Sequence, residues 1–418
     1  MNALTMMWGI AGLTALGVIT RPFAWPEAIW AVIGALLLLG LGLIGISDAW
    51  VGVSKGLDVY LFLVGMMLLS ELARQEGLFD WLASVATARA KGSPKRLFVL
   101  IYGVGIVVTA FLSNDATAVV LTPAVFAACR AAKVKDPMPY LLICAFVANA
   151  ASFVLPISNP ANLVIFGGGA MPPLWRWLAT FTLPSTVSIA LTFFMLFWTQ
   201  RSVIAADSVA FDVRETRLSP SAKLAGSGLA ATALLLLGAS ALDFDLGMPT
   251  FLAGCITTAA VLLVTRKNPV ETLKGVSWSV LPLVAGLFVV VEGLNRTGLI
   301  DSLARLLSDG AVSYSTQTAA AAGVIVAIVS NLVNNLPAGL LAGSAVQAAD
   351  VSDKIAGAVL IGVDLGPNLS VTGSLATILW LTALRREGLH IGAWTFLKLG
   401  VVVMVPALFL SLAVLSIP

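Results

Sequence analysis

Apolar runs long enough to cross a bilayer recur along this chain, separated by short polar breaks. A helix rises about 1.5 Å per residue, so a span needs roughly 20 apolar residues. Uninterrupted runs of that kind occupy 4–20, 28–46, 58–75, 178–199, 224–242, 248–265, 278–294 and 393–415. Two longer runs are broken inside: 138–171 around Ser158-Asn159-Pro160, and 355–384 around Gly366-Pro367-Asn368. The pattern therefore predicts an all-α polytopic membrane protein with about ten crossings, two of them broken helices. Two further apolar stretches, 97–130 and 317–349, are interrupted at Ser113-Asn114-Asp115 and at Asn334-Asn335-Leu336-Pro337.

Loop charge decides how those two stretches thread, since Lys and Arg collect on the cytoplasmic side. Arg74, Arg89, Lys91, Lys95 and Arg96 precede 97–130, and Arg130, Lys133 and Lys135 follow it. A single crossing would leave one basic cluster outside, whereas a re-entrant hairpin keeps both inside. The flanks of 317–349 are neutral to acidic: Arg296 and Arg305 face Asp301 and Asp309, then come Asp350 and Asp353 with Lys354. That hairpin is expected to enter from outside. Both termini and the Asp243/Asp245 loop then lie outside. Arg266-Lys267, Lys274 and Arg385-Arg386 lie inside, and Arg176 is the one mild dissent. Amphipathic stretches in 76–96 and 295–316 read as helices lying in the membrane interface.

The chain also repeats itself. Gly65, Glu71, Gly77 and Asp80 return as Gly286, Glu292, Gly298 and Asp301 at one spacing (292 − 71 = 221), and the same shift carries Ser113-Asn114 onto Asn334-Asn335. With the threading above, equivalent elements run in opposite directions. The expectation is two inverted repeats: 1–200, with the hairpin 97–130 entering from the cytoplasm, and 224–418, with the hairpin 317–349 entering from outside. A cytoplasmic linker, 201–223, joins them and carries Arg201, Asp207, Asp212, Arg214, Glu215, Arg217 and Lys223. Duplication of this kind is the signature of a secondary transporter whose site lies between the halves.

Composition narrows the function. Of 418 residues, 59% are hydrophobic and only 11% charged, against about 25% charged in a soluble protein. A net charge of +3 leaves no footprint for nucleic acid. Residues 4–20 lack the basic flank of a cleavable signal and continue into more membrane. Cys129, Cys144 and Cys255 are far apart, and His390 is the single histidine, so neither a disulfide framework nor a metal cage is expected. No G-x-x-x-x-G-K-[ST] loop occurs, which removes ATP hydrolysis by that route. No cofactor is expected, and the surrounding partner is membrane lipid.

The candidate site follows from the breaks. Lipid cannot satisfy bare main-chain groups, so broken backbone at membrane depth must be buried in protein or face a wet cavity. Four breaks qualify: 111–117, 156–162, 330–338 and 364–370. All carry small polar side chains, usually with Pro or Gly. Half-helix N-termini there offer N–H groups and half-helix C-termini offer carbonyls, a chamber suited to a compact oxygen-rich solute or an ion. The plain alternative, that these residues only cap broken helices, stands for any one of them. Four clusters at matching places exceed what a stable bundle needs. A charge at this depth costs about 2.5–3.5 kcal/mol, which makes Asp115 and Asp364 the carboxylates to take up a proton or face a cation. Glu71 and Glu292, equivalent to each other near the ends of their spans, are further candidates, though pairing with the adjacent interfacial helix is at least as good an account. The cysteines read as core packing or lie at the hairpin's end.

At these motifs the chain resembles the arsenite efflux permeases, within the ion transporter superfamily. The match rests on Ser113-Asn114-Asp115-Ala116-Thr117-Ala118, on Ser330-Asn331-Leu332-Val333-Asn334-Asn335-Leu336-Pro337-Ala338, and on Asp364-Leu365-Gly366-Pro367-Asn368-Leu369-Ser370 with Thr372-Gly373-Ser374-Leu375-Ala376-Thr377. The resemblance implies export of arsenite and antimonite from the bacterial cytoplasm across the inner membrane, in exchange for protons. It implies a site at Ser113, Asn114, Asp115, Asn159, Asn162, Asn334, Asn335, Asp364 and Asn368, to which the neighbouring Thr117, Thr372 and Ser374 are added, while the coupling candidates remain Asp115, Asp364, Glu71 and Glu292. Some members work with a cytoplasmic ATPase subunit, and the family also points to a homodimer. As(OH)3 is neutral and polyol-like, which suits Asn, Ser and carbonyl partners. A dicarboxylate would want cationic help, and no Lys or Arg is expected at site depth. The runner-up is a sodium/proton antiporter of the same fold. An intramembrane enzyme lacks a Gly-x-Gly-Asp pair, a Ser-His dyad and zinc ligands, and a passive channel would ignore a pH gradient.

Overall fold

Helices satisfy their own main chain without water, and the computed structural model is helical throughout. It describes residues 2–166, 171–211 and 217–417, and no strand occurs among them. The last part of the 138–171 run and the linker charges Asp212, Arg214 and Glu215 lie outside the described residues. The first half contains α1 (Ala3–Thr20), α2 (Glu27–Gly40), α3 (Ile46–Lys55), α4 (Leu57–Gln75), α5 (Leu78–Arg89), α6 (Pro94–Phe111), α7 (Asn114–Ala116), α8 (Thr122–Ala131), α9 (Met138–Ala150), α10 (Pro160–Phe166) and α11 (Leu174–Ala206). The second contains α12 (Pro220–Ala241), α13 (Gly247–Thr265), α14 (Pro269–Gly275), α15 (Val280–Asn295), α16 (Leu299–Val333), α17 (Asn335–Ala349), α18 (Asp353–Leu365), α19 (Leu375–Arg386) and α20 (Ala393–Leu415).

The duplication is visible in three dimensions. α5 and α16 both begin after a left-handed glycine, Gly77 (φ 74°) and Gly298 (φ 78°), 298 − 77 = 221 residues apart. The equivalent helices α4 and α15 run antiparallel. Lys55, which ends α3 just before α4, and Tyr60, at the start of α4, meet Glu292 and Phe288 near the end of α15. Gly275, just before α15, lies against Glu71 near the end of α4. α11 and α20 are likewise antiparallel, with the Ser411 hydroxyl donating to Pro184 O and Thr199 and Thr395 sharing one recess. Partners are also exchanged between halves: α4 packs on α13 and α15 on α2, while the second hairpin's α17 packs on α10 and α19 on the first hairpin. Where α13 crosses α4, a Cβ on Gly254 would meet Gly65 O at 2.7 Å.

The spans differ in detail from the apolar pattern. Among the described residues seven helices are long and apolar enough to cross a membrane, or nine if the bent pairs α3–α4 and α14–α15 each count once. Two expected crossings are short: α2 has 14 residues and α9 has 13. Conversely α6, read as a re-entrant arm, has 18 residues and is itself long enough to span. The interfacial helix expected in 295–316 is the first segment of α16: Tyr314 (φ −150°, ψ 62°) is non-helical and divides it from the hairpin arm that follows. The linker is shorter than expected, because α11 runs on to Ala206 and α12 starts at Pro220. It docks at the base of the first hairpin, Ala210 N donating to Ala132 O (2.8 Å) and Lys135 N to Asp207 Oδ1 (2.9 Å). Outward residues such as Leu234 and Leu263 are 70% and 79% exposed, the apolar surface a lipid solvent requires.

Candidate functional site

Each break ends one helix and starts another with a side-chain cap. At the first, Ser113 is fully extended and its Oγ accepts from Ala116 N (3.1 Å). Beyond it Thr117–Leu121 form a widened turn, and the Thr122 hydroxyl donates to Ala118 O (2.7 Å). Pro123 has no N–H to close a regular turn there, which accounts for the widening. At the second, Asn159 Oδ1 accepts from Ala161 N (3.0 Å). At the third, Asn334 adopts φ 74°, a conformation that a carboxamide tolerates better than most side chains, and its Oδ1 accepts from Leu336 N (3.3 Å). At the fourth, Ser374 Oγ accepts from Thr377 N (3.1 Å).

These four helix starts converge. One narrow chamber is lined by Asn114 and Asp115 of α7, Asn159 and Pro160 before and in α10, Asn335 and Leu336 of α17, and Leu375 and Ala376 of α19. Leu63 of α4 and Val280 of α15 close it from the scaffold. Its free volume is about 20 Å3, room for about one water. Asp115 stands at its neck, lining both the chamber and a cavity of about 590 Å3 that reaches Ser70, Glu71, Arg74, Arg386 and Glu387. Among the described residues nothing hydrogen-bonds the Asp115 carboxylate. Four helix N-termini around it give the chamber a positive potential, which the carboxylate offsets.

The remaining sequence-expected residues stand around this chamber. Ser113 lines the wider cavity. Thr117 is buried behind it, its hydroxyl 2.8 Å from that of Thr109. Asn162 is fully buried and donates to Ser152 O (3.0 Å), holding the second break closed. Asn368 bridges the halves: its Nδ2 donates to Phe146 O (3.1 Å) and its Oδ1 accepts from Asn149 Nδ2 (2.9 Å). Asn334 Nδ2 donates to Thr372 O (3.3 Å), and Asn335 N donates to Gly373 O (2.9 Å), tying the third break to the fourth. Asp364 is wholly buried and sits behind Asn159, whose Nδ2 donates to it at 2.7 Å. Among the described residues its other oxygen and Asn335 Oδ1 have no hydrogen-bond partner. Glu71 lies in the wall of the wider cavity, held by Arg74 (2.6 Å) and Gln75 (2.7 Å). Glu292 lies away from the cavity, paired with Lys55 at 2.7 Å. Sequence reasoning missed Asn149, whose signal was a lone carboxamide inside the apolar run 138–150. It also missed Leu63 and Val280, which carry no polar signal. Among the described residues no group of three or more His, Cys, Asp or Glu is placed to hold a metal ion.

The sequence profile of the citrate transporter family, CitMHS, matches residues 14–365. The chain is 27% identical over 420 residues to an arsenical pump membrane protein of Escherichia coli, covering 97% of this chain and 96% of that one. It is 29% identical over 405 residues to that of Yersinia enterocolitica, covering 93% and 92%. It is 26% identical over 396 residues to an uncharacterized transporter of Mycobacterium tuberculosis, covering 91% of each. The resemblance carried by the motifs thus extends over nearly the whole chain. Among solved structures, the YdaH transporter of Alcanivorax borkumensis superposes with a TM-score of 0.59 at 17% identity, covering 88% of this chain and 86% of that one, a likeness of fold. With many apolar helices, two antiparallel halves and a polar chamber between them, the chain is a multi-pass membrane transporter and belongs to the citrate transporter family.

Proposed function

We propose that this transporter exports arsenite and antimonite from the bacterial cytoplasm in exchange for protons, by alternating access. The observation that carries the reading is the chamber itself: carboxamides and helix N-termini around one unpartnered carboxylate, with no Lys or Arg in its lining. Hydroxyls of a neutral trihydroxide donate to Asp115 and accept from Asn side chains and main-chain N–H groups. A tricarboxylate, which the family description names, wants fixed positive charge. The nearest guanidinium groups are Arg74, held by Glu71, and Arg386, both in the wider cavity. The names of the arsenical pump relatives agree with the neutral solute.

In this reading Asp115 exchanges a proton for substrate at the neck, and Asp364 acts on the chamber only through Asn159. Ser113, Asn114, Asn159 and Asn335 meet the solute at the neck, where the chamber of about 20 Å3 joins the wider cavity and must widen to admit it. Thr117, Asn162, Asn334, Asn368, Thr372 and Ser374 hold the four breaks. Glu71 guards the mouth, and Glu292 belongs to the opposite, closed end. The hairpin 97–130 enters from the cytoplasm and 317–349 from outside, with both termini outside and the protein in the inner membrane. The basic ends 72–96, 130–135 and 266–274 then share the side on which the wider cavity opens, which makes the structure inward-facing. An ATPase subunit would dock at that basic end, and a homodimer would form through the scaffold helices. The sodium/proton antiporter is retained as the second reading, because the unpartnered oxygens of Asn335 and Asp364 suit a small cation. Four converging helix N-termini weigh against it.

The test is arsenite uptake into everted membrane vesicles with an inside-acid pH gradient. We expect accumulation that a protonophore abolishes. We expect Asp115→Asn to fold normally and to lose at least about tenfold of gradient-driven uptake, about 1.4 kcal/mol of barrier. Undiminished uptake by that variant, or sodium movement with no metalloid accumulation, overturns the assignment.

A further inference from the structure

A second recess, remote from the transport chamber, is built where α9, α11 and α20 meet at the end of the molecule that carries the linker. Its volume is about 470 Å3. One wall is polar: Thr199 and Gln200 of α11, Thr395 and Lys398 of α20, and His390 in the turn before α20. The other wall is apolar: Met138 and Leu142 of α9 with Leu399 and Val402 of α20. None of these residues, the single histidine included, lines the chamber or the cavity leading to it.

The surroundings say what fits. Two tryptophans flank the recess on the outer surface, Trp198 (55% exposed) and Trp394 (66% exposed). Each carries a cation on its face, Arg201 at 5.1 Å and Lys398 at 5.4 Å. Exposed indole rings topped by basic groups mark the level of lipid headgroups, where the ring sits in the interface and the charge reaches water. Asp136, a nearby carboxylate, is turned aside to cap α9, its Oδ1 accepting from Met138 N (2.9 Å). Among the described residues no ion pair is formed by Lys398, so the recess presents a positive charge beside an apolar groove. We propose that it binds an anionic membrane phospholipid, the phosphodiester held by Lys398, Gln200 and Thr395 with His390 at its edge, and an acyl chain lying along Leu399 and Val402. Basic pockets between transmembrane helices take anionic headgroups in this way. Bound there, the lipid joins α11 of the first half to α20 of the second.

The test is native mass spectrometry of the purified full-length protein after delipidation, with added phosphatidylglycerol, phosphatidylcholine or inorganic phosphate. We expect retained phosphatidylglycerol in preference to phosphatidylcholine. We expect Lys398→Gln to lower that retention about fivefold, one basic group's share near an anionic surface, and His390→Asn to lower it less. Arg305→Gln, exposed and outside the recess, should leave it unchanged. Retention by Lys398→Gln equal to that of the parent overturns the proposal. So does inorganic phosphate binding without any preference for the anionic lipid.

Discussion

At the scale of single residues, the site divides by burial. Asp115 faces the cavity, whereas Asp364 is sealed behind Asn159 with one oxygen satisfied and one bare. Asn159 therefore carries two loads, since its Oδ1 caps α10 while its Nδ2 holds the carboxylate. Replacing it by Leu leaves a buried acceptor and a helix start unpaired. We expect Asn159→Leu to destabilise the protein by about 1–3 kcal/mol, the cost of an orphaned buried group, seen as a lowered melting temperature in detergent. Asp364→Asn should be milder, because its carboxamide oxygen still accepts the same hydrogen bond. Equal melting temperatures for Asn159→Leu and the parent would show that this contact does not hold the break. Motif and spacing brought Asn159 and Asp364 out of the sequence separately. Their contact, and the partnership of Asn149 with Asn368, was not legible there, because each joins residues more than 200 positions apart (364 − 159 = 205 and 368 − 149 = 219).

At the scale of elements, the four half-helices explain why both halves are needed. α17 of the second half crosses α10 of the first at Gly343, where an added Cβ would lie 2.8 Å from Ile165 Cα and 3.2 Å from Val164 O. Backbone cannot retreat as a flexible side chain can. Gly343→Val should cost about 1–3 kcal/mol in overpacking and displace the tip that carries Asn335. The expected result is transport reduced more than protein yield, compared in vesicles normalised for the amount of transporter. Full activity in that variant would mean that the two elements slide freely. The hairpin tips themselves were legible, since Ser113-Asn114 and Asn334-Asn335 fall where α6 and α16 end. So was the boundary that divides α16 at Tyr314, three residues before the expected start of the hairpin (317 − 314 = 3). The sharpness of that kink was not, because a kink without Pro or Gly is set by what packs around it.

At the scale of the whole molecule, the two antiparallel halves are equivalent in sequence but not in state. One end holds the cavity lined by Ser70, Glu71 and Arg386, while the other carries the ion pairs of Lys55 with Glu292 (2.7 Å) and Arg296 with Asp48 (2.6 Å). Shifting Ser70 by the repeat spacing gives Val291, which is buried. In a background lacking Cys129, Cys144 and Cys255, we expect Ser70→Cys to react with a membrane-impermeant thiol reagent in everted vesicles. Val291→Cys should remain unreactive from either side, and antimonite should slow the first reaction. Labelling of Val291→Cys alone would reverse the direction in which the structure faces.

Hydropathy, loop charge and one recurring interval were enough to read a duplicated all-helical membrane transporter with two interrupted hairpins and to point at its four breaks, because a bilayer permits few architectures and punishes every unpaired polar group. Local patterns of that kind survive in one dimension. Which capped helix starts share a chamber, which carboxylate faces the cavity and which is sealed behind a carboxamide, and which end stands open were decided only by the tertiary structure. Each depends on contacts between residues far apart in the chain, brought together when each half packs its helices against those of the other.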